Sequence, residues 1–82
     1  MAGPFDLRSG EVQPQIPTNA FFAATRVNVF SQIEGRVQMT AGGSPPETSD
    51  IPAGHTVLER NFGGVLLAIQ NLGNAPITVF TE

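Results

Sequence analysis

Chemistry in this chain would have to come from seven carboxylates, a few hydroxyls and a single histidine, His55. Cysteine, tyrosine and tryptophan are absent, and all four basic residues are arginines: Arg8, Arg26, Arg36 and Arg60. Without cysteine or lysine, thiol catalysis and Schiff-base chemistry are excluded. A nucleophilic triad would need Ser44 or Ser49 beside His55 with an acid such as Asp50, but no nucleophile-elbow pattern surrounds any serine. His55 is therefore read as a solvent-facing or interface histidine next to a turn. Asp50, His55 and Glu59 hold ligand types for a metal, and His55 and Glu59 share a strand face at i and i+4. Two ligands with no third in register fit ordinary polar residues on a wet face better. No calcium-loop spacing of acids occurs.

Paired carboxylates cleave glycosides across a cleft. Glu34, Glu47, Asp50 and Glu59 are the candidates, and a β-domain of this size has little bulk to build one. Gly42, Gly43, Gly63 and Gly64 match no phosphate-binding spacing and precede no helical pattern, so turns and bulges are their expected use. Sugar platforms usually stack on Trp or Tyr, whose rings also carry a polar tip. All six aromatics here are phenylalanine, at positions 5, 21, 22, 30, 62 and 80, which suits a core or an apolar interface. No catalytic residue, cofactor site or metal site is assigned. The expectation is a chain that builds or binds something and is not an enzyme.

The elements that must position these residues are strands. In FFAATRVNVF, residues 21–30, Ala23, Thr25, Val27 and Val29 fall on one face, with Ala24, Arg26, Asn28 and Phe30 on the other. In IEGRVQMT, residues 33–40, Ile33, Val37 and Met39 oppose Glu34, Arg36, Gln38 and Thr40. Period-two alternation marks a sheet with one buried and one wet face. Residues 55–60 read as a short strand, and residues 65–72 as a central one. Residues 77–82 alternate again. GVLLAIQNLGNAPITVFTE reads as a β-hairpin turning at Gly73-Asn74, with Leu67, Ile69, Ile77 and Val79 buried. Residues 41–54 hold three glycines and three prolines and read as a long loop. No segment keeps helical periodicity over three turns. The expected fold is all-β, a small antiparallel β-sandwich or barrel of six or seven short strands.

Residues 1–20, with Pro4, Pro14 and Pro17, read as an extended arm outside a single domain of residues 21–82. Within the arm, Phe5 and Leu7, alternating with Asp6 and Arg8, suit one short edge strand. Phe5, Leu7 and Ile16 are its spaced apolar anchors for an interface. The alternative is an arm that folds back onto its own sheet.

Size and charge point the same way. A domain of 82 residues buries only about 60–65% of the surface its unfolded chain exposes. Neither disulfides nor a metal supplements that core, so self-association or docking on a larger body is expected. The net charge is −3 and the arginines are scattered, which leaves no basic patch for nucleic acid. Charged residues are 13% of the chain, about half the usual share, as a surface partly covered by other chains would have. The longest apolar run, Val65 to Ile69, is far short of the roughly 20 residues that cross a bilayer. No secretion signal precedes the strands, so a cytoplasmic location, or assembly inside a cell before release, is expected.

Size, arm and the closing NLGNAPITVFTE segment resemble small β-rich accessory proteins of tailed-phage virions, namely capsid decoration or cement proteins and trimeric β-domains of fibres. That resemblance implies a virion subunit assembled in the host cytoplasm, trimeric or bound to a lattice, that reinforces a larger protein shell. It carries no site residue. A ligand- or glycan-binding module and an adaptor domain of a cellular complex are the alternatives.

Overall fold

The computed structural model describes residues 2–20 and 22–82 and contains eight strands, with no helix among the described residues. In chain order they are β1 (Ala2–Leu7), β2 (Val12–Ile16), β3 (Thr25–Ser31), β4 (Gly35–Ala41), β5 (Glu47–Ile51), β6 (Gly54–Arg60), β7 (Leu67–Asn71) and β8 (Ile77–Thr81). Two four-stranded antiparallel sheets form, one in the order β1-β8-β3-β6 and the other β2-β7-β4-β5.

These orders have a simple origin. β4 pairs with β5, β3 with β6, β2 with β7 and β1 with β8. The chain is thus one long hairpin with its tip at residues 42–46. Rolling that hairpin adds the β3–β8 and β4–β7 ladders and splits it into two layers. This is jelly-roll topology, the sandwich expected from the alternating strands.

The inner faces carry the core. Ile16, Val27, Val29, Val37, Leu67, Ile69 and Val79 have no exposed surface, and Leu7, Met39, Ile51 and Ile77 have almost none. All four side chains expected to be buried around the closing segment, Leu67, Ile69, Ile77 and Val79, are in it.

Several expectations change. Eight strands replace six or seven because residues 41–54 contain β5 and residues 1–20 contain β2 as well as β1. Pro45-Pro46 and Pro52 bracket the alternating ETSDI run and do not interrupt it. Residues 1–20, expected to extend as an arm, supply β1 and β2 to the two sheets. Leu7 and Ile16, expected as interface anchors, are core residues at 2% and 0% exposure, and Phe5 packs against that core. β1 tolerates its proline because it is an edge strand with a register shift between Ala2 and Phe5. Gly3 at that shift has φ +96°, and a Cβ there would come within 2.8 Å of the Val79 carbonyl oxygen. The expected β7–β8 hairpin does not form, since the two strands lie in different sheets and residues 72–76 cross between layers. Ile33 belongs to the β3–β4 link and is exposed. Phe21, expected to begin the third strand, lies outside the described residues.

Asn71 secures the β7–β8 crossing. Its buried Nδ2 donates to the Leu7 carbonyl (3.1 Å) and the Ala75 carbonyl (2.8 Å), and its Oδ1 accepts from the Gly73 N–H (2.9 Å). A buried polar group left without its partner costs about 1–3 kcal/mol. Asn71→Ala, which takes the partner from one buried and two half-buried backbone groups, is expected to lose about 2–4 kcal/mol in chemical denaturation, whereas exposed Asn74→Ala stays within about 0.5 kcal/mol of wild type. Thr56 gives the opposite sign. Its buried Oγ1 has no hydrogen-bond partner. Thr56→Val is expected to stabilise by about 1 kcal/mol, a rise of about 4–8 °C in Tm for a domain of this size.

Candidate functional site: the outer face of one sheet

Strand alternation that buries Val27 and Val29 must send Arg26, Asn28 and Phe30 to the opposite face. Register then assembles three rows across that face. His55, Phe30, Thr78 and Asp6 form the first, Val57, Asn28 and Phe80 the second, and Glu59 with Arg26 the third.

Rings dominate the centre. The Phe30 and His55 rings stack with centroids 4.3 Å apart and planes 12° apart, and Phe80 lies 5.7 Å from Phe30 at 18°. Beside them Val57 is 47% exposed and Phe30 41%, so the strip presents apolar area to solvent.

A buried amide holds this strip in place. Asn28 is 2% exposed although it sits on the outer face. Its Nδ2 donates to the Arg26 carbonyl (3.4 Å) and to Glu82 Oε1 (3.3 Å), which turns Oδ1 toward His55 Nε2 at 2.8 Å. An amide oxygen only accepts, so Nε2 of His55 carries the proton. At one end of the strip a cavity of about 460 Å³ opens between Asp6, Phe30, Gln32, His55 and Thr78. Thr78 Oγ1 donates to Asp6 Oδ1 there at 2.8 Å.

The other candidate groups are dispersed. Asp50 lies on β5 in the opposite sheet and accepts from Arg36 Nε at 2.8 Å, and Glu59 pairs with Arg26 at 3.1 Å. His55 is thus not joined to Asp50 and Glu59, and no group of three His, Cys, Asp or Glu among the described residues could hold a metal ion. Ser49 is on β5 and Ser44 at the β4–β5 tip, in the other layer from His55. Glu34 and Asp50 border one open depression, with the Asp50 side chain 79% exposed, so no enclosed cleft aligns them. Glu47 and Arg60 clasp β5 to β6 across the open side of the sandwich, with Nη2–Oε2 at 2.8 Å and Nε–Oε2 at 3.1 Å. Hydrogen bonding to Glu47 is the main cause holding the Arg60 guanidinium above its ordinary range, with burial opposing.

Sequence reasoning missed Phe30 and Phe80 as partners of His55. The signal was present, since alternation placed Phe30 on the face opposite Val27 and Val29.

The family of unknown function DUF8244 matches residues 5–82 of the chain. Two uncharacterized proteins of Dictyostelium discoideum are each 40% identical to it over 83 residues, which is 99% of this chain and 99% of each relative. No solved structure matches it.

The Asn28 network sets the histidine tautomer. Neutral His55 is expected as the Nε2–H form in long-range ¹H–¹⁵N correlation spectra. Asn28→Ala should erase that preference and leave the β spectrum intact. An Nδ1–H tautomer in the wild-type protein would show that the contact is not made.

Proposed function

The chain belongs to DUF8244, and from its outer sheet face we propose that it is a non-enzymatic structural assembly subunit that joins a larger protein body through its β surface. The observation that carries this reading is the Phe30–His55–Phe80 strip flanked by Val57. Exposed apolar area rimmed by charges, here Asp6, Arg26 and Glu59, is the make-up of a protein contact surface. Aromatic side chains, phenylalanine included, are enriched in such contacts, where a few buried residues carry most of the free energy. Because β1 and β2 belong to the sandwich, the contact surface is the sheet and its edges, not a free arm.

The virion setting that the resemblance implied gains nothing from the two relatives, which are proteins of a cellular organism. The proposal therefore stands on protein assembly alone. A second reading, a small-ligand or glycan module, has the cavity at Asp6, Phe30, His55 and Thr78 in its favour. Its polar groups beside an aromatic face suit a small polar ligand.

Sedimentation and light scattering test the proposal on the purified protein and on the endogenous protein in extract. Species heavier than the 8.7 kDa monomer are expected, with Phe30→Ser shifting them to lighter ones. A monomer in both settings overturns the proposal. Saturable chemical-shift changes confined to Asp6, Phe30, His55 and Thr78 on a glycan or fragment panel would favour the ligand reading instead.

A further inference from the structure

A β-sandwich has four strand edges, each a template for pairing with another chain. Here they are β1, β2, β5 and β6. Three are blunted. β1 contains Pro4 and a register shift, and β2 contains Pro14 and a shift between Gln13 and Ile16. β5 is five residues long and bracketed by Pro45-Pro46 and Pro52. β6 is different. It runs seven residues without proline or bulge, in unbroken register with β3 from Gly54 to Arg60.

Its free hydrogen-bonding groups follow from the ladder. Arg26 N–H donates to the Glu82 carbonyl at 3.2 Å, and Glu82 N–H donates to the Arg26 carbonyl at 3.0 Å. Arg26, and by alternation Asn28 and Phe30, therefore turn their backbone groups toward β8. Val27 and Val29 turn theirs toward β6, where they meet Leu58 and Thr56. The backbone groups of His55, Val57 and Glu59 must then point out of the sheet. The Glu59 carbonyl agrees, since it accepts from Arg60 Nη1 at 2.8 Å and keeps one lone pair.

We propose that β6 pairs antiparallel with β6 of a second copy about a two-fold axis at Val57, joining two four-stranded sheets into one of eight strands. The inference rests on the assembly reading and names its partner. In this register all seven residues of β6 are paired, with Val57 facing Val57 and His55 facing Glu59 of the other copy. Each of the three outward residues exchanges two backbone hydrogen bonds, which satisfies every free group on the edge. Side chains agree with the backbone at the axis, where Val57 stacks on itself. A register slipped by two residues either way leaves strand residues unpaired and sets Val57 opposite His55 or Glu59. The ring strips of the two copies then lie on one continuous face.

One strand edge per copy buries less than the roughly 1,200 Å² of a stable complex. The dimer is accordingly expected to be weak and concentration-dependent.

Light scattering over a concentration series and amide hydrogen exchange provide the test. Wild type should approach twice 8.7 kDa on concentration, with the amides of His55, Val57 and Glu59 gaining protection together. Val57→Lys sets two like charges against each other across the axis and should stay monomeric with unchanged β dispersion. Val57→Pro removes a donor that the β3 ladder does not use and should do the same. Should either variant unfold, the exchange pattern of wild type decides alone. If wild type self-associates while those three amides exchange freely, another surface is used. The pairing then fails and the assembly reading survives. If purified wild type is monomeric but the endogenous protein runs in a heavier complex, the pairing again fails alone. A monomer in both settings overturns both.

Discussion

Asn71 Nδ2, donating to the carbonyls of Leu7 and Ala75 while Oδ1 accepts from Gly73, ties three parts of the chain at one buried point. Backbone bonds of the same residue extend the tie. Its carbonyl accepts from Gly10 at 2.7 Å, and its N–H donates to the Glu11 carbonyl at 3.0 Å. The β1–β2 corner and the β7–β8 corner are thereby stacked on each other. Both corners move the chain from one sheet to the other, and a rolled hairpin closes only where its outermost strands do this together. A side chain with two donors and an acceptor suits such a corner, because the strand ladders have ended there and buried backbone groups still need partners.

Closing the roll in this way decides which strands become edges. The N-terminal strands β1 and β2 sit along one side of the sandwich with their prolines. β5 and β6, near the tip, form the other side and are clasped by Glu47 and Arg60. Layers of four short strands leave a thin core, yet every inward position along β7 and β8 is fully or almost fully buried. The outer faces receive what alternation sends there. On the β1-β8-β3-β6 sheet that is an aromatic strip around a buried amide whose network reaches Glu82.

That network links fold and surface. Asn28 is buried between Val57 and Phe80 of the neighbouring strands, and it orients His55 because its own donors are held by Arg26 and Glu82. The ring strip is therefore a fixed feature of the sheet. Fixed aromatic area loses little conformational entropy on contact. This physical property favours a role in protein association.

Alternation alone determined much of this protein. The all-β class, the inward sets Val27/Val29, Val37/Met39, Leu67/Ile69 and Ile77/Val79, and the outward placement of Arg26, Asn28 and Phe30 were legible, because side-chain direction along a strand is a local property with period two. Pairing was not. Asn71, Gly73 and Asn74 carry turn chemistry that fits a two-stranded hairpin as well as a crossing between layers. Only the buried partners of the Asn71 amide, more than sixty residues away at Leu7, separate the two. Likewise, proline content near β1 and β5 describes an edge strand as well as an arm or a loop, and the choice depends on whether a neighbouring ladder is present. The His55–Phe30–Phe80 stack joins three strands, so it exists only once register is set. Local sequence decides which way each side chain faces, whereas which strand lies beside which is decided by closure of the whole roll.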